Sequence, residues 1–144
     1  MSLASYICME RQIPEKYLNL DEEDETLPLY IGPCFADQDC LYEVKTRQFH
    51  KWYVYEISSH WGIEIVEPFD SSISKESKEK LRYLFTFMND FLDEGESFEL
   101  YTCWIGEESY PQEKSMTLSL ELDQLEDIEI PERTYILITK QSKN

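Results

Sequence analysis

The chain has 144 residues and a formal net charge of −17, with 30 acidic side chains against 13 lysines and arginines. A field of that sign repels nucleic acid and anionic lipid, and it draws basic proteins or cations. Hydrophobic residues make up 42% of the chain and aromatics 14%, enough for a core, so disorder is not expected over most of its length.

The length suits one domain, residues 1–144. No run of about 18 apolar residues offers a membrane span. The opening MSLASYICMERQ lacks the basic and then apolar stretches of a secretory signal, so a cytoplasmic location is expected. Four cysteines, Cys8, Cys34, Cys40 and Cys103, are too sparse for a disulfide scaffold. The spacing of Cys34 and Cys40 matches no common zinc motif, and neither His50 nor His60 forms a metal-type pair with a cysteine. Reduced thiols, no metal and no cofactor are the expectation.

In chain order, residues 1–28 read as partly irregular. IPEKYLNL suggests a short helical turn, and the acidic run DEEDE at 21–25 reads as a solvated loop. LYIG at 29–32 reads as a short strand stopped by Gly32 and Pro33, residues 34–40 as a loop, and LYEV at 41–44 as another strand. HKWYVYEIS and WGIEIVEP, rich in β-branched and aromatic residues and close in sequence, suggest an antiparallel hairpin. Over about 74–94, Leu81, Leu84, Phe85, Met88, Phe91 and Leu92 form one stripe at helical period, with Ser74 as N-cap and Gly95 as terminator. FELYTCWIGEESYPQEKSMTLSLEL, residues 98–122, reads as a second hairpin. Phe98, Leu100, Trp104, Leu118, Leu120 and Leu122 would be buried, and Glu99, Tyr101, Ser119 and Glu121 would lie on the far face. DQLEDIEIP fits either a helical turn or an extended crossover, and TYILITK at 134–140 is the last strand. The expected class is α+β: an antiparallel or mixed sheet of about five to six strands with one long helix packed on one face.

Known catalytic signatures are missing. The chain has four glycines and no P-loop, GxGxxG, HExxH or GxSxG, so nucleotide binding and motif-borne hydrolysis find no support. Charge placement is more informative. Residues 93–132 hold thirteen acids against Lys114 alone, a balance of 1 − 13 = −12, whereas residues 45–82 hold seven basic and six acidic residues. Carboxylates threaded through strands, with tyrosine and tryptophan among them, suit an interface with a basic protein: acids steer and aromatics anchor. The expected partner surface is the far face and tip of the second hairpin, with Glu99, Glu107, Glu108 and Glu121 steering and Tyr101 and Tyr110 anchoring. The profile of size, acidity and element order resembles that of bacterial immunity proteins that plug basic toxin nucleases, a likeness of profile that transfers no residue. The expected function is therefore a binding protein that neutralises a basic toxin or nuclease domain, with no nucleic acid and no membrane as partner. A small enzyme or ligand-binding domain with a pocket between helix and sheet is the alternative, and a housekeeping domain with acidity for solubility is a third.

Overall fold

The computed structural model describes residues 3–18, 29–33, 38–58 and 62–142. It is an α+β fold around a six-stranded mixed sheet. The strands are β1 (Leu3–Met9), β2 (Tyr30–Gly32), β3 (Tyr53–Ser58), β4 (Ser97–Trp104), β5 (Lys114–Ser119) and β6 (Thr134–Thr139), in spatial order β2-β3-β1-β4-β6-β5. All neighbours are antiparallel except β5 and β6, which run parallel. Helix α1 (Gln38–Arg47) and the long α2 (Ser72–Phe91) complete the fold, with single 3-10 turns at Glu15–Tyr17 and Leu122–Leu125.

The two helices lie on opposite faces of the sheet. Alternate residues of β1 and β4 separate into two cores. Ile7, Met9, Phe98 and Leu100 meet Leu81, Leu84, Phe85 and Met88 of α2. Tyr6, Cys8, Tyr101 and Cys103 meet Leu41 and Val44 of α1. Both central strands are thus covered on both sides, and every residue of β1 is buried.

Three buried serine hydroxyls hold the segment that leads into α2. Ser5 Oγ accepts the Ile63 N–H at 2.9 Å, Ser77 Oγ the Glu64 N–H at 3.0 Å, and Ser74 Oγ the Val66 N–H at 3.2 Å. At Gly62 this segment crosses so close to β1 that an added Cβ would stand 3.0 Å from the Ala4 carbonyl carbon, so only glycine fits without displacement. Helix α2 begins where Ser71 Oγ accepts the Ser74 N–H, and it ends with Leu92 as C-cap. The helix over 74–94 is therefore present with a start near Ser72. Gly95 sits beyond it, in a turn at φ +88.

Both expected hairpins are corrected. WGIEIVEP does not return beside β3. Its described residues form no strand and make one bridge, from Ile65 to Ile130, while β3 pairs with β1 and β2. Nor do β4 and β5 pair, because β6 lies between them. Parallel strands require a crossover rather than a tight turn, and residues 120–133 supply it, placing Leu125, Ile128 and Ile130 in the α2-side core. Both forms expected of DQLEDIEIP therefore occur in succession. LYEV belongs to α1, where Leu41 and Val44, three apart, share the buried face. Leu120 is buried as expected, but Leu122 is exposed and Leu118 half-buried.

Candidate partner-binding surface

The acids of residues 93–132 divide into buried and exposed sets. Glu99 is only 1% exposed. Its carboxylate accepts the His50 N–H at 3.0 Å, the Lys51 N–H at 2.8 Å and the Tyr135 hydroxyl at 2.6 Å. Its alternation with Phe98 and Leu100 places it on the α1 side, where it fixes the turn that leaves the helix. Glu108, 2% exposed, accepts the Tyr6 hydroxyl at 3.0 Å and the Gly106 N–H at 2.9 Å. The Cys103 thiol lies 3.7 Å from the same carboxylate. Gln48 donates to the carbonyls of Glu108 and Tyr110 at 2.9 and 2.8 Å, so the end of α1 is stitched to the loop after β4. Tyr101 is fully buried, and its hydroxyl has no protein partner among the described residues.

Three of the six expected site residues, Glu99, Tyr101 and Glu108, thus lie inside the protein, because α1 covers the face expected to be open. Glu107 is half-buried, and Tyr110 and Glu121 are exposed. The Arg133 guanidinium sits 5.9 Å from the centre of the Tyr110 ring.

Burial governs the titration of this face. It pushes the Tyr6 hydroxyl upward, with the Glu108 carboxylate adding to the effect, and it does the same for Tyr101 and, with Glu99, for Tyr135. The Cys103 thiol is raised by burial and Glu108, and the Cys8 thiol is pushed up to about 12 by burial and Glu99. A group whose folded value is raised stabilises the fold fully below its unfolded value and loses that contribution as pH climbs above it. Stability should therefore begin to fall from about pH 8.5, where unfolded thiols ionise, and fall more steeply from about pH 10, where unfolded tyrosines do. Urea midpoints measured from neutral to strongly alkaline pH check this. A urea midpoint that stays level through about pH 11 would contradict the buried placement of these groups.

Several of the remaining acids are engaged at the surface. Glu96 forms a two-pronged pair with Arg11 at 2.8 Å, Glu113 pairs with Arg133, and Glu132 accepts the Trp104 indole N–H. The run ELDQLEDIE, residues 121–129, differs: Glu121, Asp123, Glu126, Asp127 and Glu129 are all exposed. None of these carboxylates forms an ion pair among the described residues. The nearby amines of Lys78 and Lys114 instead go to the backbone carbonyls of Glu126 and Glu129, at 2.6 and 3.1 Å.

This acidic crossover borders β5, the outermost strand. Between them runs a groove of about 420 Å³ lined by Lys114, Met116, Leu118, Asp123, Gln124 and residues 126–129. Tyr110 stands near the start of β5, since the Arg133 it covers accepts the Glu113 N–H through its carbonyl at 2.9 Å. Glu121 stands just past its end. Glu121 and Tyr110 belong to the surface expected from the sequence, whereas Asp123, Glu126, Asp127 and Glu129 lie outside that expected set. The charge arithmetic already contained them. A smaller cavity of about 210 Å³ lies on the other side of the crossover, lined by Phe69, Ser74 and Lys78 among others. Among the described residues, no three His, Cys, Asp or Glu side chains cluster as a metal site, and no helix is long and apolar enough to cross a membrane. Comparison with protein-family models, with curated proteins and with solved structures finds no match to this chain.

Proposed function

We propose that the protein binds and neutralises a basic protein partner, as an immunity protein does against a toxin or nuclease domain, by occluding the partner's cationic site. The observation that carries this reading is the set of five exposed carboxylates in residues 121–129 with no cation paired to them among the described residues. Solvated carboxylates on a fixed backbone raise the local concentration of a cationic partner and orient its approach. They replace the phosphates that a nuclease would otherwise hold. The proposed surface runs along β5, from Tyr110 through the acidic crossover to Glu121. It keeps Tyr110 and Glu121 of the six residues expected from the sequence and leaves out the half-buried Glu107 and the buried Glu99, Tyr101 and Glu108.

Steering by exposed charges acts on association rate and weakens with salt. The double change Glu126→Gln and Asp127→Asn should slow association by about fivefold to tenfold at low salt, with little effect on dissociation. The test is capture of the partner from native lysate by the wild-type protein, mass-spectrometric identification, and stopped-flow association at low and high salt. A strongly basic partner that loses its own activity in the complex supports the reading. Retention of no basic protein, or equal association rates for wild type and the double variant, overturns it.

A further inference from the structure

We propose that the outer edge of β5 accepts, as a seventh strand, an extended segment of the partner whose alternate residues are lysine or arginine. The inference rests on the acidic surface meeting a basic protein, and it adds the mode of docking.

The two edges of the sheet are built differently. At one end β2 is three residues long and runs into Pro33, two devices that blunt an edge against pairing. At the other end β5 is six residues long and, after Lys114, uncharged: Ser115, Met116, Thr117, Leu118 and Ser119. Lys114 and Leu120 donate their N–H groups to Arg133 and Thr139 across the ladder to β6. Backbone direction alternates along a strand, so the N–H and C=O of Ser115 and Thr117 point away from β6. Beyond them no further strand pairs among the described residues. The Ser119 carbonyl, next in the same row, is already used by the Glu121 N–H at 2.8 Å, which sets the length of the open edge. The side chains of Ser115 and Thr117 are exposed and small, and Lys114, at the start of the strand, is turned to the Glu129 carbonyl.

The groove decides what kind of strand fits. Met116 and Leu118 pack against the α2-side core while remaining half-buried, and the opposing wall carries Asp123, Glu126, Asp127 and Glu129. A strand laid on β5 sends every second side chain over this groove. Lysine or arginine stems would lie on Met116 and Leu118, and their cationic heads would reach the carboxylates. An acidic strand would meet four like charges. Backbone pairing supplies the affinity and the alternation supplies the selectivity.

The probe is a short capped peptide of alternating lysine and valine. Its controls are the glutamate–valine counterpart, a lysine–valine peptide of the same composition in two blocks, and the alternating peptide with every backbone amide N-methylated. Fluorescence anisotropy should show binding of the alternating basic peptide alone. Amide exchange at Ser115 and Thr117 should slow about tenfold or more in its presence. Thr117→Pro removes only an outward N–H, so the β6 ladder survives, and it should abolish binding. Equal binding of the block or N-methylated peptide, or exchange at Ser115 and Thr117 unchanged on binding, overturns strand addition. If that binding is still lost in Glu126→Gln/Asp127→Asn, the acidic surface stands as the site without strand pairing. Absence of binding by every basic peptide also overturns the strand mode, while capture of a basic partner by the whole surface would still decide the function.

Discussion

Phe85→Ala is expected to lower the unfolding free energy by about 3–5 kcal/mol. Phe85 is fully buried at the centre of α2's inward stripe. Its ring meets Phe98 of β4 edge to face, with centroids 6.4 Å apart and planes at 85°. Truncation removes the transfer energy of the ring and leaves a cavity between a helix and a sheet that are both fixed by their other contacts. A partial collapse recovers little of either. Small domains hold only about 5–15 kcal/mol in total, so the loss is a large share of what keeps the chain folded. Phe87 is the internal control: it is partly exposed beside Tyr17 and Phe91, and Phe87→Ala should cost about 1–2 kcal/mol. Urea denaturation of both variants gives the comparison. Equal midpoints for Phe85→Ala and wild type would remove α2 from the core.

Helix α2 was legible because only one of its faces is buried, so its apolar residues recur at helical period. Strand β6 was legible for the corresponding reason, with its burial alternating residue by residue. Strand β1 was not. It is buried on both faces, so LASYICM carries neither a period of two nor a polar side, and serine and tyrosine within it look like surface residues. Ser5 is satisfied only by partners distant in sequence, Thr102 Oγ1 at 2.7 Å and the Ile63 N–H. Helix α1 was hidden by its brevity, since Leu41 and Val44 alone mark its buried face. The hairpins failed on connectivity. Nearness in sequence favours a hairpin, yet the apolar residues of 120–133 were needed in the core, and that requirement put β6 between β4 and β5.

The burial of the residues expected at the surface was only partly legible for a related reason. The strand alternation in FELYTCW has the expected parity, with Glu99 and Tyr101 facing away from Phe98 and Leu100. What the pattern could not reveal was a second helix covering that far side. A glutamate on a solvent face and a glutamate buried against two backbone N–H groups look the same in sequence. The difference lies in His50 and Lys51, some fifty residues away. Glu121 and Tyr110, at the ends of β5, needed no such distant information.

Glu99→Leu is expected to cost about 3–5 kcal/mol, because it fills the volume but leaves three donors without an acceptor. The His50 N–H, the Lys51 N–H and the Tyr135 hydroxyl all end on this one carboxylate. Each buried donor left unpaired costs about 1–3 kcal/mol, and the lower part of that range applies where the turn at His50 can open to water. Glu99→Gln retains one acceptor oxygen at the same position and should cost less, about 1–2 kcal/mol. Tyr135→Phe removes one of the stranded donors, so Glu99→Leu combined with Tyr135→Phe should be less damaging than the sum of the two single changes. Urea denaturation supplies the energies. Amide exchange supplies the location: the His50 and Lys51 N–H groups should exchange faster in Glu99→Leu, while those of β6 keep their protection. Strict additivity in the double variant would show that Glu99 and Tyr135 do not share a bond. An unmoved midpoint for Glu99→Leu would return this glutamate to the surface, and with it the partner face expected from the sequence.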